Sequence, residues 1–307
     1  MFGFFMGVFG KSDLIHLARH HDAFVGLDSD GCVFPTMELK QKQCFHAEII
    51  ARWQLEQLAR PLRECAEFVN LRSRWRGQNR FPALLMTFEL LAARPDARAS
   101  GVRLPDTAAL KAFIRSGLPL SNAALAKEVE RTGHAELVRL FAWSLAVNAN
   151  VERIVKDVAP FRGVRESLEK IRAHADLIVV SQTPEEALIR EWQTSGLEHF
   201  PALIAGQELG TKTEHLQLAA GNKYAADRVL MIGDAFGDLH AARAAGTLFF
   251  PVNPGHEEES WRRLHDEAFD KFLDGAYAGN YEAALIVEFE ALLPEFPPWN
   301  EEAMVKG

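Results

Sequence analysis

The amino-acid sequence predicts an α/β protein in which a doubly wound parallel sheet is interrupted by an inserted α-helical domain. Three observations lead to this fold class. Short, unbroken runs of β-branched and apolar residues recur along the chain, which is typical of parallel strands buried on both faces. Helical periodicity alternates with these runs between about residues 160 and 252. The first run stands alone near the start, and a long segment with only helical periodicity separates it from the others.

Each predicted strand ends at a residue that favours a turn, and helical segments lie between the strands. These segments include 164–174 and 184–195, and their alternation with strands is typical of a doubly wound fold. The predicted strands are 23–27, 177–180, 202–205, 229–232 and 247–252. After the last strand, a turn at 253–255 leads into a polar helical tail, which we expect to pack on the core.

The long segment between the first two predicted strands, residues 36–158, shows amphipathic periodicity and no strand signature. Its breaks at 94–105 and 116–121 are rich in Pro, Gly, Asp and Ser and predict loops between helices. We therefore predict two domains. Residues 1–35 and 159–307 form an α/β core with an N-terminal arm and a C-terminal helical tail, and residues 36–158 form the helical insertion.

The composition, with 48% hydrophobic and 25% charged residues, is that of an ordinary soluble globular protein. A formal net charge of -8 disfavours nucleic acid as a partner, since that binding depends on clustered Lys and Arg. The three cysteines, Cys32, Cys44 and Cys65, predict no disulfide framework, which favours a reduced, cytoplasmic location. The apolar residues 1–10 are too few to span a membrane, so we predict a docking arm and no membrane partner; an interfacial anchor is the alternative.

Two carboxylates follow the first predicted strand. The run 23–27 leads into Asp28, Ser29, Asp30 and Gly31, at the carboxyl end of a parallel strand, where α/β folds bind ligands. Asp28 and Asp30 point the same way on an extended chain, so both can face one pocket. Their repulsion requires a metal or a raised pKa on one of them. Such a pair suits a nucleophile with a general acid and base, and a simple turn is the alternative.

A second acidic pair follows the predicted strand 229–232. Asp234 lies at the end of that strand, and Asp238, four residues further, returns to the same side if a helix starts there. Two such carboxylates can hold a hard divalent cation, which prefers oxygen ligands. The alternative is that Asp238 only caps the helix that follows.

The predicted strand 177–180 is followed by groups that can bind phosphate. This segment consists of Ser181, Gln182 and Thr183 and lies where a helix begins. The serine and the threonine offer hydroxyl groups, and all three residues offer backbone N–H groups. We take Ser181 and Gln182 as the candidate phosphate ligands and favour Ser181 over Thr183. Helix capping by either hydroxyl is the alternative.

A lysine in a polar turn is the last candidate for phosphate binding. Lys212 lies after the predicted strand 202–205 and just ahead of a helix. At this position a lysine can balance the negative charge of a phosphate and of a nucleophilic carboxylate. Lys223 competes for the same role.

In order and in spacing, these segments resemble the motif set of the haloacid dehalogenase superfamily. The resemblance covers about residues 20–35 and 160–252. The helical insertion directly after the first motif is similar to the cap domain of many members, so the implied fold is a Rossmannoid core with a helical cap. The matching residues are Asp28, Asp30, Ser181, Lys212, Asp234 and Asp238.

This resemblance implies a Mg²⁺-dependent phosphatase, a hydrolase of phosphomonoesters that works through an aspartyl phosphate. Asp28 is then the nucleophile and Asp30 the general acid and base. Members that cleave carbon–halogen or carbon–phosphorus bonds lack a carboxylate at the position of Asp30, which favours phosphate esters. The other implied roles are phosphate binding by Ser181 and Lys212, and metal binding by Asp28, the backbone carbonyl of Asp30 and Asp234, with Asp238 orienting the metal shell.

The sequence departs from the common pattern at Cys32 and Pro35, which predicts atypical substrate contacts next to the nucleophile. Within the insertion, Arg74 and Arg76 lie in a basic stretch and are candidates for binding an anionic leaving group, with a solvated surface as the alternative. The predicted substrate is a small phosphorylated molecule. A phosphomutase and a non-catalytic protein that binds a phosphate ligand are the alternatives, and the sequence does not determine the oligomeric state.

Overall fold

The computed structural model describes residues 9–299, so nearly all of the predicted apolar arm lies outside the described residues. The chain divides into two compact units, which we call the α/β unit and the helical unit. Within the described residues, the α/β unit consists of 9–36 and 157–292, and the helical unit consists of 37–156 and 293–299. The helical unit thus interrupts the α/β unit shortly after its first strand.

The α/β unit is built on a parallel sheet of five strands in the order β3-β2-β1-β4-β5. The strands are β1 (Phe24–Leu27), β2 (Asp176–Val180), β3 (Leu203–Ala205), β4 (Val229–Gly233) and β5 (Leu248–Pro251). Nearly every strand residue is buried, which is why the strands appear in the sequence as unbroken apolar runs. The predicted doubly wound parallel sheet is confirmed, and each predicted strand occurs within one residue of its expected ends.

The register of the sheet brings three strand ends to one edge. β1 lies in the centre, and Leu27 is opposite Val179 of β2 and Ile232 of β4. The ladder continues for one residue beyond β1, because Asp28 N donates to Ile232 O at 2.9 Å. The polar residues that follow β1, β2 and β4 therefore lie next to one another.

Between β1 and β2 the described chain forms helices and no strand. Helix α1 (Lys11–Ile15) precedes β1, and a π-helical turn spans Lys40–Phe45. Trp143, fully buried, lies at the centre of the helical unit and makes edge-on contacts with the rings of Phe45, Trp53 and Phe81. The other helices of this segment are α2 (Thr36–Leu39), α3 (His46–Trp53), α4 (Ala59–Leu71), α5 (Arg80–Ala93), α6 (Pro95–Ala99), α7 (Ala108–Arg115), α8 (Asn122–Thr132) and α9 (Ala135–Ile154).

The rest of the α/β unit alternates helices with strands and ends in a helical tail. The tail packs on the core of this unit, as predicted, through buried Trp261, Phe269 and Phe272. The helices are α10 (Val164–His174), α11 (Glu185–Thr194), α12 (Lys212–Ala220), α13 (Phe236–Ala245), α14 (Glu257–Arg263), α15 (Phe269–Leu273) and α16 (Asn280–Leu292). Among the helices within residues 9–299, none is long and apolar enough to cross a membrane.

The C-terminal segment from 293 to 299 belongs to the helical unit, whereas the sequence analysis assigned it to the core. Glu295 accepts from the guanidinium of Arg74 at 2.6 Å. The ring of Trp299 lies 5.8 Å from that of Phe68 and 5.2 Å from the guanidinium of Arg94. A proline-rich segment has no periodicity that would show where it packs, so these contacts were not predictable. The remaining predicted domain boundaries stay a prediction.

Candidate active site

The loop after β1 is a tight turn that fixes two aspartates. Ser29 O accepts hydrogen bonds from the N–H groups of the three residues Cys32, Val33 and Phe34. Gly31 N donates back to Phe34 O at 2.9 Å, and Gly31 has a φ of 79°, a conformation that favours glycine. The glycine in the Asp28–Gly31 sequence is therefore required by the backbone of the turn.

Two buried tryptophans donate hydrogen bonds to this loop from the core of the α/β unit. Trp192 of α11 donates its indole N–H to Ser29 Oγ at 3.1 Å, and Trp261 of α14 donates to Cys32 O at 2.9 Å. Both tryptophans and Ser29 are fully buried. Ser29 thus points into the core, which leaves the aspartates on either side of it to face the end of the sheet.

Three carboxylates meet at the ends of β1 and β4. Asp28, Asp234 and Asp238 are buried, and one carboxylate oxygen of each lies within 4.8 Å of those of the other two. Within residues 9–299 this is the one group of at least three acidic, His or Cys side chains arranged closely enough to hold a metal ion. Carboxylate oxygens are the ligands that Mg²⁺ takes from proteins.

Lys212 is the counter-charge of this cluster. Its ammonium group lies 3.0 Å from an oxygen of Asp28 and 2.5 Å from an oxygen of Asp238. Lys212 is the first residue of α12, whose N-terminus is fixed by a capping box between Thr211 and Glu214. The competing lysine, Lys223, donates instead to backbone carbonyl groups at the end of α1.

Asp238 caps the helix that follows β4 and also faces the acidic cluster. Its Oδ2 accepts from Ala235 N at 3.1 Å and so caps α13, while its Oδ1 contacts Lys212. Gly233 allows this geometry, because a Cβ at that position would lie 2.4 Å from the Cβ of Asp238. Helix capping therefore orients the carboxylate towards the cluster rather than excluding a role there.

Burial and mutual repulsion dominate the electrostatics of the cluster. Burial raises the pKa of Asp28 well above its usual value; Lys212 opposes this shift, and Asp238 and Asp234 add to it. Burial alone would lower the pKa of Lys212, but Asp238 and Asp28 outweigh it and raise that pKa. The three carboxylates, when ionised, exceed the charge of Lys212 by two. A divalent cation would neutralise this excess, so the residues present fit Mg²⁺.

Ser181 and Gln182 lie at the end of β2, at the same edge of the sheet as Asp28. Ser181 is buried, and its Oγ accepts from Thr183 N at 3.2 Å, which closes a small turn before α11. The side-chain amide of Gln182 donates to Gly210 O at 2.9 Å and thereby joins this turn to the loop that carries Lys212. Neither hydroxyl of this segment caps α11.

The carboxylate of Asp30 has different neighbours from the three clustered acids. Thr183 Oγ1 donates to its Oδ2 at 2.8 Å, and Thr36 Oγ1 donates to its Oδ1. These two threonines were not among the site residues predicted from the sequence. Thr183 could have been found, since it alternates with Ser181 and so points the same way on an extended chain, but no pattern marks Thr36.

Arg74 and Arg76 both lie in the helical unit. Arg76 is buried and donates to Leu71 O at 3.1 Å, and Arg74 forms the ion pair with Glu295. Their assignment to a substrate leaving group stays a prediction.

Comparison with known proteins places the motifs after β2 in a family. Residues 115–252 match a family model described as Haloacid dehalogenase-like hydrolase, a range that includes Ser181, Lys212, Asp234 and Asp238 and begins after Asp28. A phosphoglycolate phosphatase of Mesorhizobium japonicum is 25% identical in an alignment of 189 residues, and the alignment covers 57% of this chain and 80% of that protein.

Comparison with solved structures finds matches of low TM-score and low sequence identity. A haloacid dehalogenase-type hydrolase of Bacillus subtilis, solved with magnesium bound, has a TM-score of 0.41 and 14% identity, covering 75% of this chain and 86% of that one. A protein described as a β-phosphoglucomutase of Thermotoga maritima has a TM-score of 0.42 and 14% identity, covering 75% and 84%.

Proposed function

The chain belongs to the haloacid dehalogenase superfamily of hydrolases, and on this premise we propose that it is a Mg²⁺-dependent phosphomonoester hydrolase that works through an aspartyl phosphate. The observation that carries the proposal is the buried cluster of Asp28, Asp234 and Asp238 around Lys212. It combines a potential nucleophile, oxygen ligands for a cation and a fixed positive charge at one end of the sheet.

In the first step, a carboxylate oxygen of Asp28 attacks the phosphorus atom and forms an acyl phosphate bond. The bond from phosphorus to the ester oxygen breaks, and that oxygen takes a proton from Asp30 and leaves as an alcohol. In the second step, Asp30 accepts a proton from water, whose oxygen attacks phosphorus. Inorganic phosphate is released, and the carboxylate of Asp28 is restored.

The other site residues bind and orient the phosphate. Lys212 balances the charge of the phosphoryl oxygens beside Asp28, and Ser181 offers its hydroxyl at the end of β2. Asp28, Asp234 and the backbone carbonyl of Asp30 would hold Mg²⁺, with Asp238 orienting the metal shell. The cation supplies charge that stabilises the transferring phosphoryl group and keeps Asp28 ionised.

The substrate we propose is a small phosphorylated molecule. Phosphoglycolate is the first compound to test, because the relative in Mesorhizobium japonicum is named a phosphoglycolate phosphatase. We also propose a reducing, cytoplasmic location, which the three buried thiols Cys32, Cys44 and Cys65 support. The net charge of -8 supports the proposal that nucleic acid is not a partner.

The test is release of inorganic phosphate from a panel of phosphomonoesters, measured with Mg²⁺ and with a chelator, for the wild type and Asp28→Asn. We expect turnover that requires Mg²⁺ and falls by at least a thousandfold in Asp28→Asn, since the amide cannot form the acyl phosphate. The matched control is Asp22→Asn, an exposed aspartate just before the same strand, which should keep full activity.

Two results would contradict the proposal. Equal turnover by Asp28→Asn and the wild type would remove Asp28 as the nucleophile. Isomerisation of a sugar phosphate without release of phosphate would replace hydrolysis by transfer of the phosphoryl group between substrates.

A further inference from the structure

Two hydroxyl groups from distant parts of the α/β unit hold the carboxylate of Asp30. Thr36 begins α2, and its side chain is fully buried against Asp30 Oδ1. Thr183 lies between β2 and α11, is half-buried, and donates to Oδ2 at 2.8 Å. Each oxygen of the carboxylate therefore has its own hydroxyl donor.

A hydroxyl group suits an acid and base that must act in both protonation states. A lysine or arginine can only donate, so it would hold the ionised carboxylate and not the protonated one. A threonine hydroxyl donates to a carboxylate and, after rotation, accepts from a carboxylic acid. With one threonine on each oxygen, one contact can persist while the other oxygen carries the proton that is transferred.

The surroundings of Thr183 fix its hydroxyl in this position. Its backbone N–H is bound to Ser181 Oγ, and its backbone carbonyl accepts from Gln207 N at 3.1 Å. Both neighbours belong to loops at the same edge of the sheet. These two hydrogen bonds fix the backbone of Thr183, and this backbone position places its hydroxyl beside Asp30.

We propose that Thr36 and Thr183 are positioning residues that keep the carboxyl group of Asp30 in place through the catalytic cycle. This role rests on the proposed phosphatase function, in which Asp30 protonates the leaving oxygen. Neither threonine acts on the substrate directly. Loss of either hydroxyl should therefore affect the reaction only where a proton has to be delivered or removed.

The dependence on the leaving group separates this role from a purely structural one. An alkoxide is a poor leaving group and needs the proton of Asp30 as the bond to phosphorus breaks, whereas a nitrophenolate leaves without it. The ratio kcat/KM reports only the steps up to departure of the leaving group. It therefore excludes the later attack of water, in which Asp30 acts on the same intermediate whichever substrate was used.

The experiment compares kcat/KM for an alkyl phosphate, phosphoglycolate, with that for p-nitrophenyl phosphate, in Thr183→Val, Thr36→Val and the corresponding Ser variants. We expect each Val variant to lose about ten- to hundredfold on the alkyl phosphate and less than about threefold on the aryl phosphate. The Ser variants, which keep the hydroxyl, should stay near the wild type. Thr87→Val is the control for loss of a buried hydroxyl elsewhere.

The outcomes separate this role from the proposed function. An equal loss on both substrates, or no loss on either, overturns the positioning role while the wild type remains a phosphatase. No turnover by the wild type of these two esters or of any other ester in the phosphomonoester panel removes the proposed function and this role with it. If Thr36→Val does not fold, Thr183→Val still decides, because its side chain is only half-buried in a loop.

Discussion

Replacing Asp234 with Asn tests whether the acidic cluster is built for a cation. Its carboxylate oxygen lies within 4.8 Å of those of Asp28 and Asp238. At an effective dielectric constant of about 20, two unit charges at such a separation repel by about 3.5 kcal/mol. Part of this is already relieved by the raised pKa of Asp28 and by Lys212. We therefore expect Asp234→Asn to increase the free energy of unfolding without metal by about 1–2 kcal/mol.

The same change should abolish stabilisation by Mg²⁺. Magnesium at one hundred times its dissociation constant would stabilise the wild type by about 2.7 kcal/mol, and the variant has lost a ligand for it. The assay is thermal unfolding of both proteins in a chelator and in a series of Mg²⁺ concentrations. A change of 1 kcal/mol in the free energy of unfolding shifts the unfolding temperature by about 2–4 °C for a unit of this size. The gain in stability without metal and the lost stabilisation by Mg²⁺ can therefore be measured separately.

The acidic cluster is not a cation site if Asp234→Asn is less stable than the wild type in the chelator, or if Mg²⁺ stabilises both proteins equally. Asp176→Asn is the matched control at the opposite end of the sheet. The carboxylate of Asp176 is also buried, but it accepts from two backbone N–H groups and from Tyr224. Its loss should destabilise the protein to the same extent with and without Mg²⁺.

Three further predictions concern other parts of the molecule. Burial and two nearby cations lower the pKa of His46 to about 4. Below pH 6.5 the unfolded state therefore binds more protons than the folded state, and acid favours unfolding. The free energy of unfolding, measured in urea titrations, should fall by about 3 kcal/mol between pH 6.5 and pH 4. Gly233→Ala should displace Asp238 and reduce phosphatase activity at least tenfold, because the new Cβ would lie 2.4 Å from that side chain. Trp299→Ala should destabilise the helical unit by about 1–2 kcal/mol, through lost contacts with a phenylalanine and an arginine.

Each of these predictions has a control. His46→Leu should remove most of the loss of stability in acid, and an unchanged pH dependence would exclude His46 as its source. Gly237→Ala, four residues after Gly233, adds a Cβ that meets nothing within 4 Å in a helix, so it should leave activity unchanged. Phe296→Ala removes a side chain that is 51% exposed and should cost less than about 0.5 kcal/mol, in contrast to Trp299→Ala.

The sequence allowed prediction of the parts of the site that strand ends carry. Asp28, Ser181 and Asp234 each follow a buried strand, and the carboxyl ends of parallel strands meet at one edge of the sheet. Lys212 was placed by its position between motifs, and the structure shows its contacts with two carboxylates of the cluster. Local pattern and topology were therefore enough to predict that these residues lie at one edge of the sheet, while their roles stay a prediction.

The contacts that depend on the shape of a loop or on the direction of a side chain could not be predicted. Thr36 and Asp30 lie on either side of a tight turn, whose shape depends on Gly31 and on the hydrogen bonds that three backbone N–H groups donate to the carbonyl of Ser29. Asp238 was expected either to bind a metal or to cap a helix, and the structure shows that it caps α13 with one oxygen and contacts Lys212 with the other. Its part in metal binding stays a prediction.

The position of residues 293–299 has a consequence for biosynthesis. The helical unit is made of two pieces of chain, and Leu293, buried in the second piece, follows the entire α/β unit in the sequence. During translation, residues 37–156 emerge long before their last packing partners exist. The helical unit can therefore adopt its final packing only after residues 293–299 have left the ribosome. Until then, Trp299 does not cover Phe68 and Arg94, so a nascent chain exposes apolar surface that the folded protein hides.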